Sequence, residues 1–163
     1  MAISVGEALP AGEFLRVGEN GPESVSIAAL TAGKTVVMFG LPGAYTRTCT
    51  AAHLPSFIRT APALREKGVD EIICFSVNDP FVMSAWADDT SAGAAGIHML
   101  ADGSGAFTKA IGMDFTAEPV GFYGRSKRHA MVVKDGTVTI LNVDENPGEC
   151  NLSAGETILD ALS

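Results

Sequence analysis

No stretch of the chain approaches the roughly 20 consecutive apolar residues that a bilayer-spanning helix needs, so a helical membrane protein is excluded and no membrane partner is expected. Basic residues are few: 11 Lys and Arg stand against 19 Asp and Glu, a net charge of −8. That balance argues against broad binding to nucleic acid or to an anionic membrane surface, both of which need a positive face. Cysteine is scarce as well. Three is an odd count, and the spacing forms no disulfide framework. There is no long linker, low-complexity tract or internal repeat. The opening residues "MAISVGEALP" show neither a basic stretch ahead of an apolar core nor an Arg-rich transit pattern. The expectation is a cytoplasmic protein whose thiols are either inert core residues or working chemistry.

What is present suffices for a core. A length of 163 residues at 47% hydrophobic fits one domain, 1–163. The first segment, "ISVGEALPAGEFLRVGENGPESVSIAAL", is short apolar pieces cut by Gly and Pro, which predicts edge strands and turns. Buried strands are expected at 35–40 ("TVVMFG"), 71–78 ("EIICFSVN") and 97–102 ("IHMLAD"). Helical spacing of Leu54, Phe57, Ile58, Ala61 and Leu64 predicts a helix over 48–68, kinked at Pro55 and Pro62 and ended by Gly68. Asp79 as N-cap and Pro80 at the first helical position start a helix over 79–89. A short helix follows at 103–113. Asp135-Gly136 marks a hairpin over 129–144. Ser153 with Glu156 three residues on reads as a capping box for a last helix, 153–162. Strands alternating with helices, plus one tight hairpin, predict an α/β fold with a central mixed sheet flanked by helices.

Cys49 is the chemically loaded position. It follows the strand at 35–40, on the edge where α/β sheets place their sites. It also falls in the first turn of a predicted helix, where unsatisfied N–H groups and the positive end of the macrodipole favour an anion. A free thiol is only about 3% ionised at pH 7, so full ionisation gains at most roughly 30-fold, and nucleophilicity falls as acidity rises. A fast thiol enzyme therefore needs help at the transition state. With a peroxide as substrate, negative charge grows on the departing oxygen, and each donor aimed at it is worth roughly 3–4 kcal/mol. Thr46, three residues before Cys49, is placed to supply a hydroxyl, and Pro42 to wall the pocket. On position alone, Cys49 could equally be a small core residue.

The composite "LPGAYTRTCTAAHLPSF" resembles the active-site loop of peroxiredoxins, in particular the type II or Prx5-like subgroup with its Pro-x-x-x-Thr-x-x-Cys pattern. The likeness continues through "EIICFSVNDPFVMSAW", "MLADGSGAFTKAIGM" and "GRSKRHAMVVKDGTVTILNVD". It implies a thioredoxin-like fold and reduction of hydrogen peroxide and alkyl hydroperoxides. In it Cys49 is the peroxidatic sulfur, Pro42 and Thr46 line the site, and Arg128 polarises thiolate and peroxide. It further implies a homodimer, with glutaredoxin and glutathione, or thioredoxin, as reductant; no cofactor and no metal are expected. Two positions depart from the pattern: Tyr45 stands for the usual Phe, and Arg47 for a Pro, which adds a cation and frees the loop backbone. A thioredoxin-like redox sensor with slow cysteine oxidation is the competing class.

Oxidation leaves a sulfenic acid that must be reduced or trapped. Cys150, in the Gly- and Pro-rich loop "NPGECNLSAGE", is near where two-cysteine members of the subgroup carry a resolving thiol. Cys74, mid-strand in "EIICFSVN", is the weaker candidate and fits a core residue. Other signals carry less. Cys49 and His53 share a metal-like spacing but lack further ligands, and His53 is expected to pack beside the site. His98 or His129 could serve a Cys-His protease, which would leave Thr46 and Arg128 without roles. "GSGAF" is too short for a phosphate loop. Within "GRSKRH", Arg125 and Lys127 read as a solvated turn. Phe81, Met83 and Trp86 are expected in the core or at a subunit contact.

Overall fold

A computed structural model describes residues 2–146 and 148–162. Met1, Pro147 and Ser163 lie outside it. The chain runs β1 (Glu13–Gly18), β2 (Gly21–Ser26), α1 (Ile27–Thr31), β3 (Thr35–Gly40), a π-helical turn (Cys49–His53), α2 (Leu54–Glu66), β4 (Glu71–Ser76) and α3 (Pro80–Thr90). It continues with β5 (Ile97–Ala101), α4 (Ala106–Ala110), β6 (Asp114–Ala117), a 3₁₀ turn (Glu118–Val120), β7 (Phe122–Ser126), β8 (Arg128–Lys134), β9 (Thr137–Asp144) and α5 (Gly155–Ala161).

Seven strands form one mixed sheet in the order β2-β1-β5-β4-β3-β8-β9, and β6 pairs with β7 separately. β3, β4 and β5 are parallel; the remaining pairings are antiparallel. The central strands read as continuous apolar runs because both faces are covered. Val37, Phe39, Ile72, Cys74, Ala130 and Val132 point to the α2, α3 and α5 side. Val36, Met38, Ile73, Phe75, Met131 and Val133 point to the side of α1 and α4. The hairpin turn has Asp135 and Gly136 both at positive φ (47° and 79°), the twist that a two-residue turn between right-twisted strands requires.

Three expectations are corrected. The opening segment contains a helix, α1, started by the Ser26 hydroxyl, which accepts from the Ala29 N–H; its single turn was too short to show a period. Residues 114–126, with no element predicted, form the β6–β7 ribbon. The capping box does not form: α5 starts after Ala154, the Ser153 hydroxyl donates to Asp144 instead (2.6 Å), and Glu156 pairs with Arg59. The helix over 48–68 is present, but its first turn is π-helical. Pro55 has no N–H to give, and the Leu54 N–H reaches back five residues to the Cys49 carbonyl. Pro62 sits within α2 without ending it.

α5 crosses α2 closely at Gly155. A Cβ there would lie 2.5 Å from the Ser56 carbonyl oxygen and the Thr60 hydroxyl, and the Gly155 N–H donates to the Ser56 hydroxyl. This contact sets where the Ser153 carbonyl stands above the π-helical turn.

Two fully buried histidines make stability depend on pH. Burial pushes His129 down to about 4, and burial with the Arg128 charge holds His53 well below its usual range. Both are neutral in the fold, whereas the unfolded chain takes up protons near pH 6.5. For His129 the unfolded state thus binds more protons between about pH 4 and 6.5, and His53 adds to the difference in the same direction. Stability is full above that window and falls with pH by about 1.4 kcal/mol per unit for each histidine. Urea midpoints measured at steps from pH 7 to pH 5 should decline accordingly, and His129→Gln should lessen the slope. A flat profile would contradict neutral burial.

Candidate active site

Strand register brings the site together. β8 runs antiparallel to β3 with Phe39 opposite Ala130 and Gly40 opposite His129. Arg128 therefore falls just beyond the C-terminal end of β3, where the chain leaves for the π-helical turn. Side chains alternate along a strand, so Arg128 shares the face of Ala130 and Val132, the one that also buries Cys49. The Arg128 side chain is 1% exposed and the Cys49 thiol fully buried. One guanidinium nitrogen, Nη2, donates to the Cys49 sulfur at 3.3 Å, and the other, Nη1, stands 3.1 Å from His53 Nδ1. His53 Nε2 lies 3.1 Å from the Ser153 carbonyl, which can only accept. The imidazole proton is therefore on Nε2, and Nδ1 is free to accept from Arg128. His53 was expected to pack beside the site; it also orients the arginine.

The loop before Cys49 is tied down at three points. Asn78 accepts from the Ala44 N–H (3.0 Å), Arg125 donates to the Pro42 carbonyl (3.0 Å), and the Tyr45 hydroxyl donates to Asp89 (2.6 Å). Tyr45 holds φ at 63°, a left-handed conformation costly for an aromatic residue. Its bond to Asp89 is one that the usual Phe could not make. The Thr46 hydroxyl donates to the Gly43 carbonyl at 2.7 Å, so it faces a ligand as an acceptor. The first helical bond runs from the Thr50 N–H to the Thr46 carbonyl, and the N–H groups of Arg47, Thr48 and Cys49 have no carbonyl upstream within the helix. Helical backbone begins at Arg47.

A pocket of about 480 Å³ opens here, lined by Pro42, Thr46, Arg47, Val120, Phe122 and Arg128 among others. Cys74 is buried in β4, and burial, with the nearby Cys49 charge, pushes its thiol well up. Cys150 is half-buried. Burial raises its thiol against the pull of Arg128 and a hydrogen bond with Ser153, and it is close enough to feel Cys49. All three cysteines are free.

The Redoxin family model matches residues 4–159. The chain belongs to the peroxiredoxins. It is 45% identical over 161 residues to Peroxiredoxin-2D of Arabidopsis thaliana, covering 98% of each. It is 41% identical over 141 residues to the hybrid peroxiredoxin hyPrx5 of Haemophilus influenzae, covering 85% of this chain and 58% of that one. The structure of reduced Prx3 from Vibrio vulnificus in complex with hydrogen peroxide superposes with a TM-score of 0.91 at 45% identity, covering 99% of both. The fold is thioredoxin-like, and the family's activity is that of a thiol-dependent peroxidase.

Two features of this peroxiredoxin were not legible beforehand. Arg125 is no solvated turn residue: it lies in β7, stands 5.5 Å over the Phe122 ring and holds Pro42. Asp144, at the end of β9, accepts from the N–H groups of Asn151, Leu152 and Ser153 and from the Ser153 hydroxyl. Burial raises its carboxyl, but these four bonds outweigh burial and hold it below the usual range. Nothing local in the sequence distinguishes Asp144 from any acid ending a strand. His129 packs on Phe75 on the opposite sheet face, and His98 pairs with Glu71; neither joins the Cys49 cluster. Met83 and Trp86 are buried, whereas Phe81 is 61% exposed.

Proposed function

We propose that Cys49 is the peroxidatic sulfur and that Pro42, Thr46 and Arg128 form its site for hydrogen peroxide and organic hydroperoxides. One observation carries this: a single buried guanidinium reaches the Cys49 sulfur and also lines the adjoining pocket. The thiolate attacks one peroxide oxygen. A sulfur–oxygen bond forms as the oxygen–oxygen bond breaks, the sulfur being oxidised by two electrons to sulfenic acid. The other oxygen leaves as alkoxide or hydroxide and takes up a proton. Charge growing on it meets Arg128 and the free N–H groups of the helix start, while Thr46 accepts from the peroxide O–H and sets its direction. The sulfur has no exposed surface, so a peroxide must part the pocket wall to meet it.

We propose an external thiol as reductant, glutaredoxin with glutathione ahead of thioredoxin. Cys74 cannot leave β4 without breaking the sheet, and the loop bearing Cys150 is clamped by Asp144. The reading includes one domain over 1–163, supported by a sheet that draws strands from both halves. It also includes a homodimer, for which exposed Phe81 and Tyr123 offer apolar contact surface. Cytoplasmic residence agrees with three free thiols, although some relatives are chloroplastic or mitochondrial.

Stopped-flow measurement of peroxide consumption tests the core of this. Cys49→Ser should abolish it and Thr46→Val should slow it at least about tenfold; a wild-type rate equal to that of a free thiol would exclude the enzyme. Mass spectrometry after one equivalent of peroxide should show one added oxygen on Cys49. A Cys49–Cys150 disulfide instead would make Cys150 the resolving thiol.

A further inference from the structure

In a chain of net charge −8, the pocket beside Cys49 carries two arginines, Arg47 and Arg128, and no acid among its lining residues. The neighbouring acids in sequence, Glu118, Glu145 and Glu149, stay outside the lining. Arg128 is committed to the sulfur and to His53. Arg47 lines the pocket, is exposed, and among the described residues makes no hydrogen bond or ion pair. The rest of the wall joins apolar Pro42, Val120 and Phe122 to the hydroxyl residues Thr46 and Thr48. Hydrogen peroxide, roughly the size of two waters at about 30 Å³ each, would leave most of the 480 Å³ unfilled. A compact apolar body with an anionic end would fill it, and a planar guanidinium pairs with a carboxylate through two parallel bonds.

We propose that Arg47 binds a carboxylate at the pocket rim, so that the enzyme prefers organic hydroperoxides bearing a carboxylate a short distance from the peroxide group. This rests on Cys49 being the peroxidatic sulfur. The carboxylate takes no part in the electron transfer; it orients the molecule with its peroxide toward Cys49, and the products are sulfenic acid and the corresponding hydroxy acid.

The test compares cumene hydroperoxide with its para-carboxylate and the methyl ester of that acid. Single-turnover oxidation, with no thiol reductant present, is followed by fluorescence of the sole tryptophan, Trp86, whose indole N–H donates to the hydroxyl of Thr50, next to Cys49. The ratio of second-order rates, acid over ester, is expected to be about fivefold or more in the wild type. It should persist in part in Arg47→Lys, fall to about one in Arg47→Pro, and drop below one in Arg47→Glu. Position 47 is the first helical residue, where proline is well tolerated, so at least one charge-removing variant should fold. A wild-type ratio near one, or a preference that survives in Arg47→Glu, overturns the proposal. Oxidation by hydrogen peroxide without acid preference sinks this inference alone; no oxidation by any peroxide sinks the peroxidatic assignment.

Discussion

Arg128→Met is expected to slow oxidation of Cys49 by hydrogen peroxide about 10²–10³-fold, the usual cost of deleting one donor at a developing oxyanion. Methionine keeps much of the length and apolar volume of the arginine stem, so the core around it stays filled. What goes is the pair of N–H groups that reach the sulfur at 3.3 Å and His53 at 3.1 Å. The orphaned imidazole acceptor adds about 1–3 kcal/mol of destabilisation, visible as a lower melting temperature but not as unfolding at 25 °C. Arg128→Lys separates charge from geometry: one ammonium cannot serve sulfur and imidazole in the fork arrangement, so a loss between wild type and Arg128→Met is expected. Stopped-flow Trp86 fluorescence across peroxide concentrations gives the rate constants. A rate for Arg128→Met within threefold of wild type would show that the contact is not used in the reaction.

Asp144→Ala should cost about 3–5 kcal/mol of stability, a fall in melting temperature of roughly 10 °C for a chain of this size. Its carboxylate receives four bonds from residues 151–153, and alanine would leave three backbone N–H groups and a hydroxyl seeking partners. The effect reaches the site through Ser153, whose carbonyl accepts from His53, the residue that in turn orients Arg128. Peroxide turnover should therefore drop in the folded variant, and the loop carrying Cys150 should be released. Mass spectrometry after one equivalent of peroxide should then show more Cys49–Cys150 disulfide than in the wild type. A melting temperature within about 2 °C of wild type would mean that the loop is held by something other than this clamp.

The parts that were legible in advance are those written by local pattern. The buried strands at 35–40, 71–78 and 97–102 followed from apolar runs, the hairpin from Asp135-Gly136, and the start of α3 from Asp79-Pro80, where the Asp79 carboxylate accepts from the Val82 N–H at 2.8 Å. Elements of a single turn or a short ribbon, α1 and β6–β7, carry too few residues to show a period. The capping box failed because a buried carboxylate, Asp144, competes for the Ser153 hydroxyl, and no nearest-neighbour rule contains that competitor. Arg125 looked like a surface cation because its acceptor, the Pro42 carbonyl, is 83 residues away in the chain.

By itself the sequence determined an α/β chain with one thiol at a helix start beside Thr46, because strand and helix periods, turn residues and the loop motif are all local. The loop motif's family resemblance already named Arg128 as the cation, but only the tertiary structure showed how it reaches that thiol, how His53 and Ser153 hold it, and that Arg47 is left over at the pocket rim. Those choices depend on the β3–β8 register and the α2–α5 crossing, which join residues roughly 80 to 100 positions apart. A hydrogen bond over that distance exists only once the sheet has closed and the core has fixed its partners' positions.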